Sequence, residues 1–304
     1  MLYSTNTNNA VANWFEFLRT KLADYAVLVK VKLNITVVFS AVVGYALAAG
    51  WYANLLDIIL LGWSGFAITG SANAINQILE KDYDKLMKRT ANRPLASGRM
   101  NNAEAAIVAG ILGISGLALL GFWFNTIAAL AGAISLFSYA FLYTPLKRVS
   151  SIAILVGAIP GALPPMIGWL AFASYANYDA WVLFAIQFIW QFPHFWAIGW
   201  MGADEYKKAG FKLWPTPADR NKYAAAQIII YTVALILSTF VPVVLGQFTI
   251  ITAIANIILG SFMLKWAITL YQTCAVADAR KLMLASVTYL PLIQIVMVID
   301  KLIQ

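Results

Sequence analysis

Hydrophobic and polar positions along this chain are sorted into long blocks rather than short alternations. Apolar runs fall at about 34–52, 56–79, 103–121, 124–143, 152–172, 181–201, 223–245, 248–270 and 283–300, each close to the ~20 residues that cross a bilayer. Polar residues collect in the short connections between them. The pattern predicts an all-α protein, a bundle of nine transmembrane helices, with no polar insert long enough to fold separately. Ahead of the first run, residues 11–32 mix Trp14, Phe15, Phe17, Leu18 and Leu22 with Arg19, Lys21, Lys30 and Lys32. An amphipathic helix lying in the cytoplasmic interface fits that mixture. The chain then divides into an N-terminal interfacial segment, 1–32, and an intramembrane domain, 33–304.

Composition agrees. Of 304 residues, 62% are hydrophobic and 11% charged, where soluble domains carry roughly a quarter charged; mean hydropathy is +0.75. The net charge of +8 suggests nucleic acid at first sight, but its placement argues for lipid headgroups instead. Lysines and arginines crowd the connections after spans two, four, six and eight, while those after spans one, three, five and seven hold only Asp57 and Asp179 as charges. The expectation is a cytoplasmic N-terminus, with every even-numbered connection facing in. Cys274 is the single cysteine, so no intrachain disulfide and no thiolate metal cage can form. The opening residues lack the basic start and apolar run of a signal peptide. A multi-pass protein of a bacterial cytoplasmic membrane is expected.

The stretch from Asn73 to Arg99 carries the most chemistry. Read as a helix, Asn76, Glu80 and Asp84 recur every four residues along one face, with Asn73 one turn earlier. Lys88, Arg89 and Arg93 follow, and Pro94 and Gly98 are expected to stop the helix. Oxygen ligands followed by cations suit Mg²⁺ and a diphosphate, since Mg²⁺ takes a few carboxylate or amide oxygens plus phosphate and water. A helix end whose charges are simply solvated has the same appearance.

A second polar stretch runs from His194 to Lys212. Asp204 and Glu205 end span six, with Lys207, Lys208 and Lys212 behind them. Two acid-rich helix ends on one side of the membrane could share divalent ions and hold the leaving group of an allylic diphosphate. Tyr139, Tyr143, Trp190, Phe192 and Trp196 are candidates for an aromatic wall against the allyl cation, or are ordinary packing. Lys147 and Arg148 read equally as phosphate ligands or as topology signals. Asn101 with Glu104 reads as a capping box for the third span. GAIPGALPPMIGW (157–169) reads as a kinked helix lining a pocket, or as small residues that let helices pack closely. His194 is the only histidine, so haem cannot be held between two histidines of this chain; a hydrogen-bonded or proton-relaying histidine stays open.

These residues resemble the intramembrane aromatic prenyltransferases. Asn76, Gln77, Glu80 and Asp84 stand where that family has an Asn-Asp-x-x-Asp-x-x-x-Asp motif. MKRTANRPLASG (87–98), YTPLKR (143–148), GAIPGALPPMIGW (157–169) and QFPHFWAIGWMGADEY (191–206) are similar to its haem-farnesylating branch. The resemblance implies a nine-helix bundle whose polar loops cap a central cavity, where farnesyl diphosphate bound with Mg²⁺ ionises and alkylates haem B, a substrate rather than a cofactor. It implies that Asn76, Glu80, Asp84 and Asp204 hold metal, and that Lys88, Glu205 and His194 serve catalysis. Asn73, Gln77, Arg89, Arg93, Lys147, Arg148, Tyr143, Trp196 and Lys208 would bind substrate, and haem A synthase or oxidase assembly factors are candidate partners. Gln77 and Glu80 replace two aspartates of the quinone-making relatives, so Mg²⁺ is expected to bind weakly until diphosphate arrives. A quinone-type acceptor is the competing enzymatic reading. A transporter is the other, but it would place ionisable residues near the bilayer midplane.

Overall fold

A computed structural model describes residues 4–212 and 220–304, with side chains from residue 14 onward. Helices α1 (Ser4–Leu28), α2 (Val31–Ala49), α3 (Leu55–Asp84), α4 (Asn102–Leu119), α5 (Thr126–Phe137), α6 (Thr144–Val149) and α7 (Ala153–Ala173) follow one another. They are succeeded by α8 (Tyr178–Lys208), α9 (Lys222–Val244), α10 (Ile250–Thr273) and α11 (Val276–Ile303). Nine helical segments among the described residues are long and apolar enough to cross a membrane, and they match the nine apolar runs. Two differ at their ends in a way that matters. The second runs past its apolar stretch to Asp84, and the sixth to Lys208, so both acidic clusters ride on helix rather than in loops.

α3 stops ten residues before Pro94. The Thr90 hydroxyl turns back and donates to the Asp84 carbonyl at 2.9 Å, satisfying an acceptor that the helix end leaves open. Residues 85–101 form a chain of turns. Asn101 accepts from the Glu104 backbone N–H at 2.8 Å, but the Glu104 carboxylate does not reach back to close a capping box. It instead receives Lys21 Nζ (2.9 Å) and the Tyr25 hydroxyl (2.8 Å). With the Arg99–Asp24 ion pair at 2.9 Å, this docks α1 onto the turns and onto α4. Lys30, in the left-handed conformation at φ 53°, breaks α1 from α2.

α7 is the centre of the bundle and the most buried of the nine spans. Both readings of 157–169 have a part in it. Gly44 of α2 faces the Pro165 carbonyl and Gly168 faces that of Ala41, with no room for a Cβ at either; the two backbones touch. Pro164 and Pro165 have no N–H to give the carbonyls of Pro160 and Gly161. Ser135 Oγ (3.3 Å) and Gln187 Nε2 (2.8 Å) donate to those carbonyls instead. A broken ladder inside a membrane survives only with such replacements. A small apolar hollow lies beside it, lined by Val37, Ala41, Ile68, Pro164 and Ile167.

Candidate active site

The last three turns of α3 project Asn73, Asn76, Glu80 and Asp84 inward, and all four are buried. Each polar group on this face is matched by a group from another part of the chain. Asn76 Nδ2 donates to Thr144 Oγ1 at 3.1 Å, and Thr144 spends its own proton on the Tyr139 carbonyl at 2.9 Å. The amide oxygen of Asn76 is thereby turned toward Lys30 Nζ, 3.3 Å away. Glu80 is ion-paired with Lys147, itself buried. Asp84 receives both of its bonds from Arg93 Nη1, each at 2.8 Å. Two carboxylates thus face two cations, and an amide oxygen faces the Lys30 amine, in a sheltered, low-dielectric place where charge must be paired.

A π-helical turn, Ser138–Tyr143, precedes α6. It brings Tyr139 and Tyr143 beside this face, their rings 5.3 Å apart. The Tyr139 hydroxyl donates to Asn73 Oδ1 at 3.4 Å. Lys147 Nζ lies 4.8 Å from the Tyr143 ring centre and 5.3 Å from that of Phe211, so its charge is held between π faces. Gly157 leaves the space that the Tyr143 ring occupies. Burial, then the positive charges of Arg93 and Lys147, push the Lys30 amine down to about 7, with Glu80 and Asp84 pulling the other way.

The end of α8 closes over the same place. Tyr206 OH accepts from Arg89 Nη2 at 3.2 Å. Phe211 packs with Met87 and Ala209 between Tyr83 and Tyr206, and Lys212 N donates to the Lys147 carbonyl at 2.6 Å. Arg148 lies 4.1 Å over the Tyr83 ring. The two acid-bearing helix ends therefore meet.

Not every expected residue points into the meeting place. Asp204 is 77% exposed and paired with Arg220 at 3.0 Å. Its carboxylate is taken by Arg220, just ahead of α9, and it does not join Glu80 and Asp84. Glu205 is the inward one, with Oε2 sealed from solvent and without a hydrogen-bond partner. Gln77 is a structural clamp here: its Nε2 donates to the carbonyls of Val27 and Leu28, both at 2.9 Å. Trp196 turns the other way, into the packing of Phe192 against Tyr231 of α9, because residues four apart share a helix face. Lys88 and Lys208 are exposed at the rim. His194 sits deeper in α8, against Ser286 of α11. Lys30, Thr144 and Tyr206 were not among the expected site residues. Lys30 directly abuts an apolar run, which disguises it as a topology signal.

Do these residues suit Mg²⁺? The donors on α3 are two carboxylates and an amide oxygen, a hard-oxygen set, and each already faces a positive charge. Among the described residues, no three His, Cys, Asp or Glu side chains gather on one point. The set fits an ion that takes part of its shell from phosphate and water.

A nine-span helical bundle with paired acids and bases under an aromatic cover defines an intramembrane prenyltransferase. The chain belongs to the UbiA prenyltransferase family, whose sequence model matches residues 37–289. Within it, the protoheme IX farnesyltransferase of Cytophaga hutchinsonii is 45% identical over 284 residues, covering 93% of this chain and 99% of the relative. That of Flavobacterium johnsoniae is 43% identical over 303 residues, covering 96% and 99%. A structure reported for digeranylgeranylglyceryl phosphate synthase in membranes superposes with a TM-score of 0.76 at 20% identity, over 94% of this chain and 100% of that one. A UbiA homolog from Archaeoglobus fulgidus, bound to GPP and Mg²⁺, superposes with a TM-score of 0.66 at 14% identity, over 90% and 99%.

Proposed function

We propose that this enzyme transfers the farnesyl group of farnesyl diphosphate to a vinyl group of haem B, with addition of water, giving haem O and diphosphate. The observation that carries the chemistry is the buried row Asn76, Glu80 and Asp84 set against Lys30, Lys147 and Arg93. The names of relatives at 43–45% identity over nearly the whole chain support haem over a quinone precursor as acceptor. The chain would lie in a bacterial cytoplasmic membrane, and the excess of lysine and arginine in alternate connections supports an orientation with this row at the cytoplasmic rim.

The C1–O bond of the allylic diphosphate breaks with both electrons leaving on oxygen. Lys147, Arg93 and Lys30 hold the diphosphate charge, already placed and partly desolvated. The faces of Tyr139 and Tyr143 shelter the allyl cation from water. C1 bonds the terminal vinyl carbon, and water adds at the carbon next to the ring and loses a proton. Asn76, Glu80 and Asp84 would hold Mg²⁺, which would supply further charge for the departing diphosphate; the GPP and Mg²⁺ bound to the Archaeoglobus homolog support a divalent metal, not these particular residues.

In the substrate-free site the acids are already neutralised by cations. Mg²⁺ alone is therefore expected to give no saturable heat in calorimetry, and to bind once inorganic diphosphate is present. Tight Mg²⁺ binding to the substrate-free protein would contradict this arrangement. The function itself is tested by expressing the chain in a bacterium that makes haem B but not haem O, and analysing extracted haems by mass spectrometry. A hydroxyethylfarnesyl haem is expected. Unchanged haems, with a newly prenylated quinone precursor, would overturn the proposal.

A further inference from the structure

His194 is the chain's only histidine, and its ring is held with more care than packing requires. Its Nδ1 lies 2.8 Å from Ser286 Oγ. A serine hydroxyl has one proton, and Ser286 gives it to the Met283 carbonyl at 2.7 Å. Ser286 Oγ can then only accept from His194, which puts the ring proton on Nδ1 and leaves the lone pair on Nε2. Trp190 locks the ring from the side. The two rings stack with centroids 4.6 Å apart and planes 15° from parallel, and Trp190 Nε1 donates to the Ser286 carbonyl at 2.8 Å. One residue of α11 thus fixes both. No donor among the described residues reaches Nε2, and the ring is only partly buried.

A neutral imidazole with its tautomer set by a second partner, and its other nitrogen free, is how proteins present a metal ligand. Mg²⁺ prefers oxygen donors; haem iron takes imidazole. Packing alone would account for the stacked ring, but not for a serine that fixes its tautomer and leaves Nε2 free to bind. His194 also lies ten residues before Asp204, about 15 Å along the axis of α8. That depth suits an acceptor anchored below the acid–cation rim, with its edge reaching up toward the allyl cation.

We propose that Nε2 of His194 ligates the iron of the porphyrin acceptor and so orients its vinyl edge toward the farnesyl donor. The inference rests on haem being the acceptor, and adds the residue that grips it. The test uses the full chain in lipid nanodiscs, titrated with ferric haem B and read by absorption and electron paramagnetic resonance. The wild type is expected to show imidazole-ligated haem. His194→Ala is expected to lose that signature and bind haem about 10–100-fold more weakly, while still binding farnesyl diphosphate, which reports an intact fold. Added imidazole is expected to restore the spectrum in His194→Gly. Spectra and affinity unchanged in His194→Ala, no haem binding by the wild type, or no rescue by imidazole would each overturn the inference. The haem profile of expressing cells is independent of it. Haem O made by a chain whose His194 does not touch iron would remove this inference and leave the proposed function standing, whereas cells without haem O would remove the function.

Discussion

Glu80→Gln is expected to lower haem O formation by about 10²–10³-fold, the loss of roughly 3–4 kcal/mol of charge stabilisation at the departing diphosphate. Glu80 is the middle member of the α3 row, and it is the partner of a lysine that solvent barely reaches. Its removal therefore has two consequences. The oxygen set for Mg²⁺ loses a carboxylate, and Lys147 keeps its charge in a sheltered place with no counterion, which costs about 3–5 kcal/mol where such a pair is broken. Thermal unfolding in detergent separates them. Adding Lys147→Met to Glu80→Gln is expected to recover most of the lost stability and none of the transfer. Asp82→Asn is the contrast on the same helix end: Asp82 is 80% exposed and pairs with Lys85 on the surface, where ion pairs contribute ~0–1 kcal/mol. It is expected to leave turnover unchanged. Wild-type turnover in Glu80→Gln would sink the assignment.

Much of this was legible beforehand, for a physical reason. A membrane fixes helix length and forbids loose backbone, so apolar runs of the right length translate directly into spans. The four-residue recurrence of Asn76, Glu80 and Asp84 fixed a face before any contact was known. What the sequence hid was which partner each polar group finds. Thr90 ends α3 by a bond to Asp84, a six-residue return that no periodicity encodes. Asp204 and Glu205 are neighbours in sequence and therefore point about 100° apart on α8; only the position of Arg220 decides that Asp204 is the outward one. In the same way Phe192 and Trp196 share one face of α8 and meet Tyr231, while Trp190 and His194 share another and meet Ser286. Composition marks all four as aromatic or imidazole. Their faces separate the pair packed against α9 from the pair set against α11.

Gly168→Ala is expected to be as damaging as the loss of an active-site charge, though Gly168 lies within a span on α7, away from the polar rim. A Cβ there would overlap the Ala41 carbonyl oxygen, and one at Gly44 would overlap that of Pro165. Backbone cannot step aside as a flexible side chain can, so α2 and α7 would have to separate. Overpacking costs about 1–3 kcal/mol even where side chains can adjust, and more is expected here. The strain would also reach the site, because α7 carries the Gly157 that receives the Tyr143 ring and the Gly161 that receives Gln191. Yield, melting temperature in detergent and transfer should therefore fall together in Gly168→Ala and in Gly44→Ala. Gly110→Ala in α4, where nothing lies within 4 Å of the new carbon, should keep all three, since alanine favours helix by about 1 kcal/mol over glycine. Equal melting temperatures for Gly168→Ala and Gly110→Ala would mean that α2 and α7 do not touch through their backbones.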